Sequence, residues 1–158
     1  MTNQNNTYYL TPQGKENLEA ELQDLKENGR KSIAERLKSA ISMGDLSENA
    51  DYHKAKEDQG FLEGRIQEIE AVLYNAEVIT TQAKYNEVAV GAQITIKEAD
   101  YPPETYHLVG SQEANPQQGK ISHESPIGKA LIGRKVGDVV TAILPNGNSI
   151  ELEILSIE

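Results

Sequence analysis

Residues 44–53 read GDLSENADYH and carry three acidic side chains at three-residue spacing: Asp45, Glu48 and Asp51. Carboxylates of this kind can complete the shell of a weakly held Mg²⁺ ion and help to orient water for phosphodiester hydrolysis. The same spacing also fits an acidic capping box, in which Asp45 caps the following helix and Glu48 reaches back to free backbone N–H groups. The spacing by itself leaves both interpretations open.

Other residue types that perform chemistry are absent or scattered. The chain contains no cysteine, which excludes disulfides, thiol catalysis and cysteine-based zinc sites. Its three histidines, His53, His107 and His123, are far apart and lack a metal-ligand spacing such as HExxH. We therefore assign none of the three histidines a catalytic role.

Charge and hydropathy limit the class of partner. The 158 residues include 15 Lys and Arg against 25 Asp and Glu, a net charge of −10, so we expect no binding to free DNA through counterion release. Nucleic-acid contact would need a local basic patch inside a larger assembly. No apolar run approaches the roughly 20 residues of a membrane span, and the first residues lack a secretory pattern. We expect a cytoplasmic protein without a membrane partner.

Heptad-like spacing on both sides of the acidic segment predicts two long helices. Thr11 and Pro12 mark the start of the first helix, and Gly29 interrupts its stripe. Its apolar positions are Leu18, Leu22, Leu25, Ile33, Leu37 and Ala40. The second stripe alternates spacings of three and four along Tyr52, Ala55, Gln59, Leu62, Ile66, Ile69, Leu73 and Ala76. We predict an antiparallel coiled-coil hairpin over residues 1–80, with arms of roughly 40 Å and an acidic tip at 44–51.

The period changes to two after residue 90. The segments AQITIK, ETYHLV, DVVTAIL and SIELEILSI read as strands, and PNGN at 145–148 predicts a hairpin turn between the last two. The segment SPIGKALIG predicts one helix with Ser125 as N-cap, Pro126 in its first position and Gly133 as its stop. The chain is thus predicted to be α+β, with a linker at 81–90 and an antiparallel sheet domain at 91–158.

Two long segments resemble bacterial transcript-cleavage factors of the GreA/GreB family, with GreA as the closer branch. The tip and second arm of these factors are similar to GDLSENADYHKAKEDQGFLEGRIQEIEAVLYNAEVI. Their C-terminal domain, which has an FKBP-like fold, resembles HLVGSQEANPQQGKISHESPIGKALIGRKVGDVVTAILPNGNSIELEILSIE. The resemblance runs from about Tyr8 to Glu158 and preserves the order and size of the domains.

The resemblance implies a transcription elongation factor that acts on bacterial RNA polymerase. Its C-terminal domain would dock at the rim of the polymerase secondary channel, and the hairpin would reach the active site. The tip would then stimulate cleavage of the RNA 3′ end in backtracked complexes. Matched position by position, the family's acidic tip residues fall on Asp45 and Glu48. These would bind Mg²⁺ only together with the polymerase, so the free factor would hold no stable metal ion and would not itself be an enzyme.

Further roles follow from the resemblance at neighbouring positions. Leu46, Ser47 and Asn49 would support the tip, with Leu46 placed to contact polymerase or RNA. Lys54 and Lys56 would contact the phosphates of the extruded RNA; the alternative for each lysine is an ordinary solvated position beside the heptad seam. On the first arm, Ile41 stands where relatives often carry a basic residue, which predicts a small basic patch.

The exposed turn before the predicted C-terminal helix is a candidate polymerase-docking site, and its residues are Ser122, Ser125 and Pro126.

Two rival functions remain. One is a secondary-channel binder that inhibits or modulates polymerase without cleavage, and the intact Asp45 and Glu48 argue against it. The other is a chaperone or isomerase with a coiled-coil dimerisation arm, which would act on free polypeptides. An FKBP-like fold does not by itself imply prolyl isomerase activity.

Overall fold

A computed structural model describes residues 7–45, 47–80 and 85–158 of the chain. It divides into two compact units, one of Lys15–Asn75 and one of the described parts of Met1–Gly14 and Ala76–Glu158. No helix in the described ranges is long and apolar enough to cross a membrane. The helices are α1 (Pro12–Asp24), a π-helical segment (Leu25–Gly29), α2 (Arg30–Ser42), α3 (Ala50–Tyr74) and α4 (Pro126–Leu131). The strands are β1 (Tyr8–Leu10), β2 (Ala76–Val78), β3 (Gln93–Lys97), β4 (Glu104–Val109), β5 (Lys120–Ser122), β6 (Val139–Ile143) and β7 (Ser149–Ile157).

The first arm of the predicted hairpin passes through its glycine without a break. Asp24 and Arg30, on either side of the π-helical segment, both keep right-handed helical backbone angles. Gly29 ends this segment, and a Cβ atom added there would come within 2.9 Å of Leu62 Cδ1 on α3. The glycine therefore lets the two arms approach each other closely.

Burial between α2 and α3 confirms the predicted helical hairpin. Six of the predicted seam positions are buried, and they are Leu18 on α1, Ile33 and Ala40 on α2, and Ala55, Ile66 and Ile69 on α3. The pattern fails at the end of the second arm.

At that end, Val72 is buried while the predicted Leu73 is only partly covered. Ala76 is not helical, because α3 ends at Tyr74 and the chain turns into β2.

A short parallel strand pair was not predicted. Strand β1 pairs with β2 in parallel register, with Tyr8 opposite Ala76, and Leu10 is fully buried. Three-residue strands are too short to show a period of two. This pair belongs to the unit that contains the sheet, so the hairpin unit is shorter than the predicted 1–80. Residues 81–84 of the predicted linker lie outside the described residues.

The second unit contains a five-stranded sheet in the order β5-β4-β3-β7-β6. All its neighbours are antiparallel except β4 and β5. The four predicted strands and the predicted helix α4 are all present, whereas the three-residue strand β5 was missed. The core includes Ile94, Leu108, Leu131 and Ile154, with α4 contributing Leu131. The α+β class is thus confirmed, while the FKBP-like likeness stays a prediction.

Substitution of Gly128 tests how tightly α4 packs. A Cβ atom at Gly128 would overlap the backbone carbonyl oxygen of Ser122, so Gly128→Ala should lower the free energy of unfolding by about 1–3 kcal/mol. Gly64→Ala on α3 is the control, since a Cβ atom there meets nothing within 4 Å. This control should raise the free energy of unfolding by up to about 1 kcal/mol. Chemical denaturation measures both changes, and equal effects would contradict the packing argument.

Candidate functional site

The acidic segment forms the turn between α2 and α3. The backbone N–H of Met43 donates to the carbonyl of Ala40 over 3.1 Å and closes the last turn of α2. Gly44 then adopts φ of +122°, a conformation that side-chain-bearing residues rarely take. The glycine before the acids is therefore required by the reversal of the chain.

Asn49 is the residue that caps α3 and ties the two arms together. Its Oδ1 accepts from the backbone N–H of Tyr52 at 3.1 Å, and its Nδ2 donates to the Ala40 carbonyl at 2.7 Å. The capping-box interpretation of Asp45 is therefore wrong, because α3 begins at Ala50 and Asn49 is its N-cap. An ionised carboxylate could not make both bonds, since it only accepts, whereas the amide of Asn49 both donates and accepts. An Asn directly before the helical pattern was the sequence signal for this cap.

Asp45 bonds within the turn instead. Its Oδ1 accepts from the backbone N–H of Ser47 at 3.0 Å and from the Ser47 hydroxyl at 2.9 Å. These two bonds, the backbone one first, hold the pKa of Asp45 below its usual value. The exposed carboxylate is thus ionised at neutral pH, with Oδ2 pointing to no hydrogen-bond donor among the described residues.

Asp45 and Glu48 line the same open recess at the tip. This recess has a volume of about 380 Å³ and is also lined by Met43, Asn49 and Asp51. The exposed Glu48 forms no ion pair or hydrogen bond with any residue that the structure describes. Leu46, which is predicted to support the tip, lies outside the described residues.

The donor set of this recess suits Mg²⁺. Carboxylate oxygens are the hard ligands that Mg²⁺ prefers, and the ion needs only one or two of them if other groups complete its shell. Within the described ranges, no group of three or more His, Asp or Glu side chains could hold a metal ion. Asp45 and Glu48 could therefore supply two of the ligands of such an ion.

The two lysines near the tip differ in the partners that they bind. Lys54 forms ion pairs with Glu57 at 3.2 Å and with Asp58 at 3.1 Å. Lys56 donates to the Gln59 side chain at 3.1 Å. The predicted RNA contact by Lys54 must therefore compete with two carboxylates of its own helix.

Across from Lys54, Arg36 on α2 also contacts Asp58, at 2.9 Å. Asp58 thus bridges Arg36 and Lys54, and sequence reasoning missed this arrangement. The four-residue spacing of Lys54 and Asp58 was a signal for the ion pair between those two residues. At Ile41, where relatives often carry a basic residue, the surface of the first arm is apolar. Ile41 and the neighbouring Met43 are 53% and 69% exposed.

The candidate docking residues hold their own turn. The Ser125 hydroxyl accepts from the Gly128 N–H at 3.0 Å and donates to the Ser122 carbonyl at 2.7 Å. The Ser122 hydroxyl accepts from the Glu124 N–H at 3.0 Å. Pro126 and Glu124 are exposed beside this network. The serines thus shape the turn, and a docking role for them stays a prediction.

The sheet unit also contains a cavity of about 410 Å³, lined by two tyrosines and two glutamates along with apolar residues. The Tyr106 hydroxyl donates to Glu104 at 2.5 Å, and this bond is the main cause that raises the pKa of Tyr106 to about 12. Tyr101 lines the same cavity. Sequence reasoning did not place the two tyrosines of this domain together.

Comparison with known proteins relates both parts of the chain to one family. Residues 8–78 match the family model described as "Transcription elongation factor, N-terminal", and residues 82–158 match "Transcription elongation factor, GreA/GreB, C-term". The chain is 49% identical to the transcription elongation factor GreA of Leuconostoc mesenteroides over 153 residues, 96% of each chain. It is 46% identical to that of Macrococcus caseolyticus, covering 95% of this chain and 96% of the relative.

One solved structure with a similar chain is GreA factor homolog 1 of Thermus thermophilus. It is 26% identical, with a TM-score of 0.44 and coverage of 96% of this chain and 99% of that chain.

Removal of the Ser47 hydroxyl tests the electrostatics of the turn. Ser47→Ala should move the pKa of Asp45 upward, toward its usual value, because one of the two donors to Oδ1 is lost. Carboxyl-detected NMR during a pH titration measures the shift. Asp58 is the internal control, since its lowered pKa depends on Arg36 and Lys54 and should not change. An unaltered Asp45 titration would show that the hydroxyl bond is absent in solution.

Two substitutions separate the functions of Asn49. Asn49→Ala should lower the free energy of unfolding by about 0.5–2 kcal/mol and speed hydrogen exchange at the Tyr52 amide, because the cap is lost. Asn49→Asp keeps the acceptor but not the donor to Ala40, so it should preserve protection at Tyr52. Amide exchange by NMR reads out both variants. Equal loss of protection in the two would contradict the assignment of the cap to Oδ1.

Proposed function

We propose, because this chain belongs to the GreA/GreB family of transcription elongation factors, that Asp45 and Glu48 are its functional centre. The chain stimulates transcript cleavage by the polymerase as an accessory factor and is not an enzyme in its own right. The finer proposal is that the hairpin enters the secondary channel of bacterial RNA polymerase. There the two carboxylates would complete the site that cleaves the RNA 3′ end of backtracked complexes.

The observation that carries the proposal is the shared recess of Asp45 and Glu48 at the end of the hairpin. Both side chains are exposed, and neither is neutralised by a cation among the described residues. Charge of one sign concentrated on a turn attracts metal cations. A partner that supplies the remaining ligands would therefore find two oxygen donors already positioned.

Each residue of the tip has a separate task in this proposal. Asp45 and Glu48 would hold a Mg²⁺ ion that is shared with the polymerase. When bound, such an ion neutralises charge on the scissile phosphate and activates water. Ser47 lowers the pKa of Asp45 further and limits the rotation of its carboxylate through two hydrogen bonds. Asn49 keeps the turn closed between the arms.

Docking of the polymerase falls to the sheet unit in this proposal. The turn with Ser122, Ser125 and Pro126 is the candidate surface, because its exposed Pro126 and Glu124 sit on a backbone held by serine hydrogen bonds. An FKBP-like fold for this unit and a cytoplasmic location belong to the same proposal.

The test is cleavage of labelled RNA in a stalled, backtracked polymerase complex with Mg²⁺. Asp45→Asn and Glu48→Gln should each slow cleavage by roughly two orders of magnitude, the scale for loss of a group that acts directly in catalysis. Both should still compete with the parent protein for polymerase, because the rest of the hairpin and the docking surface are intact. Asp51→Asn is the matched control, since Asp51 lines the same recess and should be dispensable.

Three results would contradict the proposal in different ways. Parental cleavage by both variants would remove the metal-binding role. A parent protein that binds polymerase without cleavage would support the non-cleaving channel binder. Activity on free polypeptides with no affinity for polymerase would favour the chaperone or isomerase.

A further inference from the structure

The cavity of about 410 Å³ in the sheet unit has an apolar wall that the sheet and α4 build together. Ile96 on β3 and Leu152 on β7 are 3% and 2% exposed, and Ile150 and Ile127 are partly buried against the same core. The volume lies within the roughly 300–1,000 Å³ of small-molecule sites. This wall can therefore take the apolar part of a ligand.

Strand β4 places a carboxylate on the face of the sheet that otherwise forms the core. Side chains alternate between the two faces of a strand, so Glu104, Tyr106 and Leu108 share one face. Leu108 is fully buried in the core, and Glu104 lies opposite the buried Ile96 of β3. The exposed Glu104 side chain also lines the cavity. The carboxylate thus lies at the open end of an apolar cavity.

A second carboxylate, that of Glu98, lines the same cavity. The backbone N–H of Tyr101 donates to the Glu98 carbonyl over 2.9 Å and closes the turn after β3. The Tyr106 hydroxyl donates to Glu104 at 2.5 Å. This bond first, then burial and the charges of Glu104 and Glu98, raise the pKa of Tyr106 to about 12. The tyrosine is therefore neutral at pH 7, and its hydroxyl orients Glu104 without cancelling its charge.

No cation of the described residues balances these two carboxylates. The described residues that line the cavity include no Lys, Arg or His. The ion pairs found in the described ranges all join residues between Lys15 and Glu70. Tyrosine rings, two of which line this cavity, also attract organic cations. The cavity is thus complementary to a cation that carries an apolar stem.

Two carboxylates beside an apolar wall favour an organic dication over simpler cations. A bare metal ion would gain nothing from the wall, and no group of three or more His, Asp or Glu side chains in the described ranges could hold one. A lysine side chain would bring one ammonium group to two carboxylates. A linear aliphatic diamine brings an ammonium group at each end, and burial of the methylene groups between them is favourable.

We infer that this cavity is a binding site for a linear aliphatic diamine, with Glu98 and Glu104 as the partners of its ammonium groups and the apolar wall as the partner of its stem. Tyr106 acts as a positioning residue, because its hydroxyl holds the Glu104 carboxylate. The site uses no residue of the acidic tip, so it does not depend on the proposed function.

Titration of the full chain with putrescine at low salt and pH 7, followed by amide NMR, tests the site. The shifts should concentrate at Ile96, Tyr106 and Ile127 and saturate with a Kd of about 1 mM or tighter, as expected for a ligand of this size. Glu98→Gln and Glu104→Gln should each weaken binding about fivefold, the order for one unit charge at contact distance in water. Butylamine has the same carbon chain with one ammonium group and should bind the parent about fivefold more weakly than putrescine.

Glu153→Gln is the matched control. It removes the same charge from the sheet unit, but Glu153 is exposed between the buried Leu152 and Ile154 and therefore points away from the cavity. This variant should bind putrescine with the parental affinity. Chemical denaturation of each variant shows that it is folded, so that a weakened site is not mistaken for a lost fold.

Each result decides the inference. A Kd above about 10 mM, or saturable shifts at the acidic tip instead of the cavity, would overturn it. An equal loss of affinity in Glu153→Gln would overturn it as well, because net charge alone would then explain the binding. Equal affinity for butylamine and putrescine would contradict the pairing of two ammonium groups with two carboxylates. Displacement of putrescine by MgCl₂ at equal concentration would show that the apolar wall contributes nothing.

Discussion

Burial of a narrow apolar seam between two highly charged arms is the interaction on which the acidic tip depends. Near the tip the seam consists of Ala40 and Ala55, 3% and 1% exposed, whereas farther along α3 it consists of Ile66 and Ile69. Small residues let the arms meet closely where the chain must reverse. Farther along the arms, the missing side chain of Gly29 leaves room for Leu62. A charged helix with one apolar stripe has little stability alone. The turn is therefore held by the packing of both arms.

Charge is distributed unevenly over the hairpin. Cations on the arms are paired with acids of the facing helix, as in Lys26–Glu70, Arg30–Glu63, Arg36–Asp58 and Glu21–Arg65. Exposed pairs of this kind contribute only about 0–1 kcal/mol each, so their main effect is to cancel charge locally. Asp45 and Glu48 have no such partner among the described residues. The tip is thus a place where unbalanced negative charge remains available to a metal ion.

The Asn49 side chain explains why the carboxylates of the tip are not used as helix caps. An amide at position 49 makes the helix cap and the bond to Ala40 with its two ends, so neither Asp45 nor Glu48 is needed as a cap. The local sequence correctly indicated a capped acidic turn, but the capping-box pattern pointed to Asp45 as the cap instead of Asn49. The choice depended on where α3 begins, and that boundary is set by packing on α2 as well as by the order of the residues.

Periodicity by itself determined the two helices, the seam positions except at the end of the second arm, the four longer strands and the place of the acidic turn, because each of these patterns is local in the chain. Resemblance of the GDLSEN segment then singled out Asp45 and Glu48. Tertiary structure decided what meets across distance: the pairing of β1 with β2, and the convergence of Arg36 and Lys54 on Asp58. Such contacts join residues that are remote in sequence or on opposite arms, and they depend on the register of the packed helices and strands. No local pattern of residue types encodes that register.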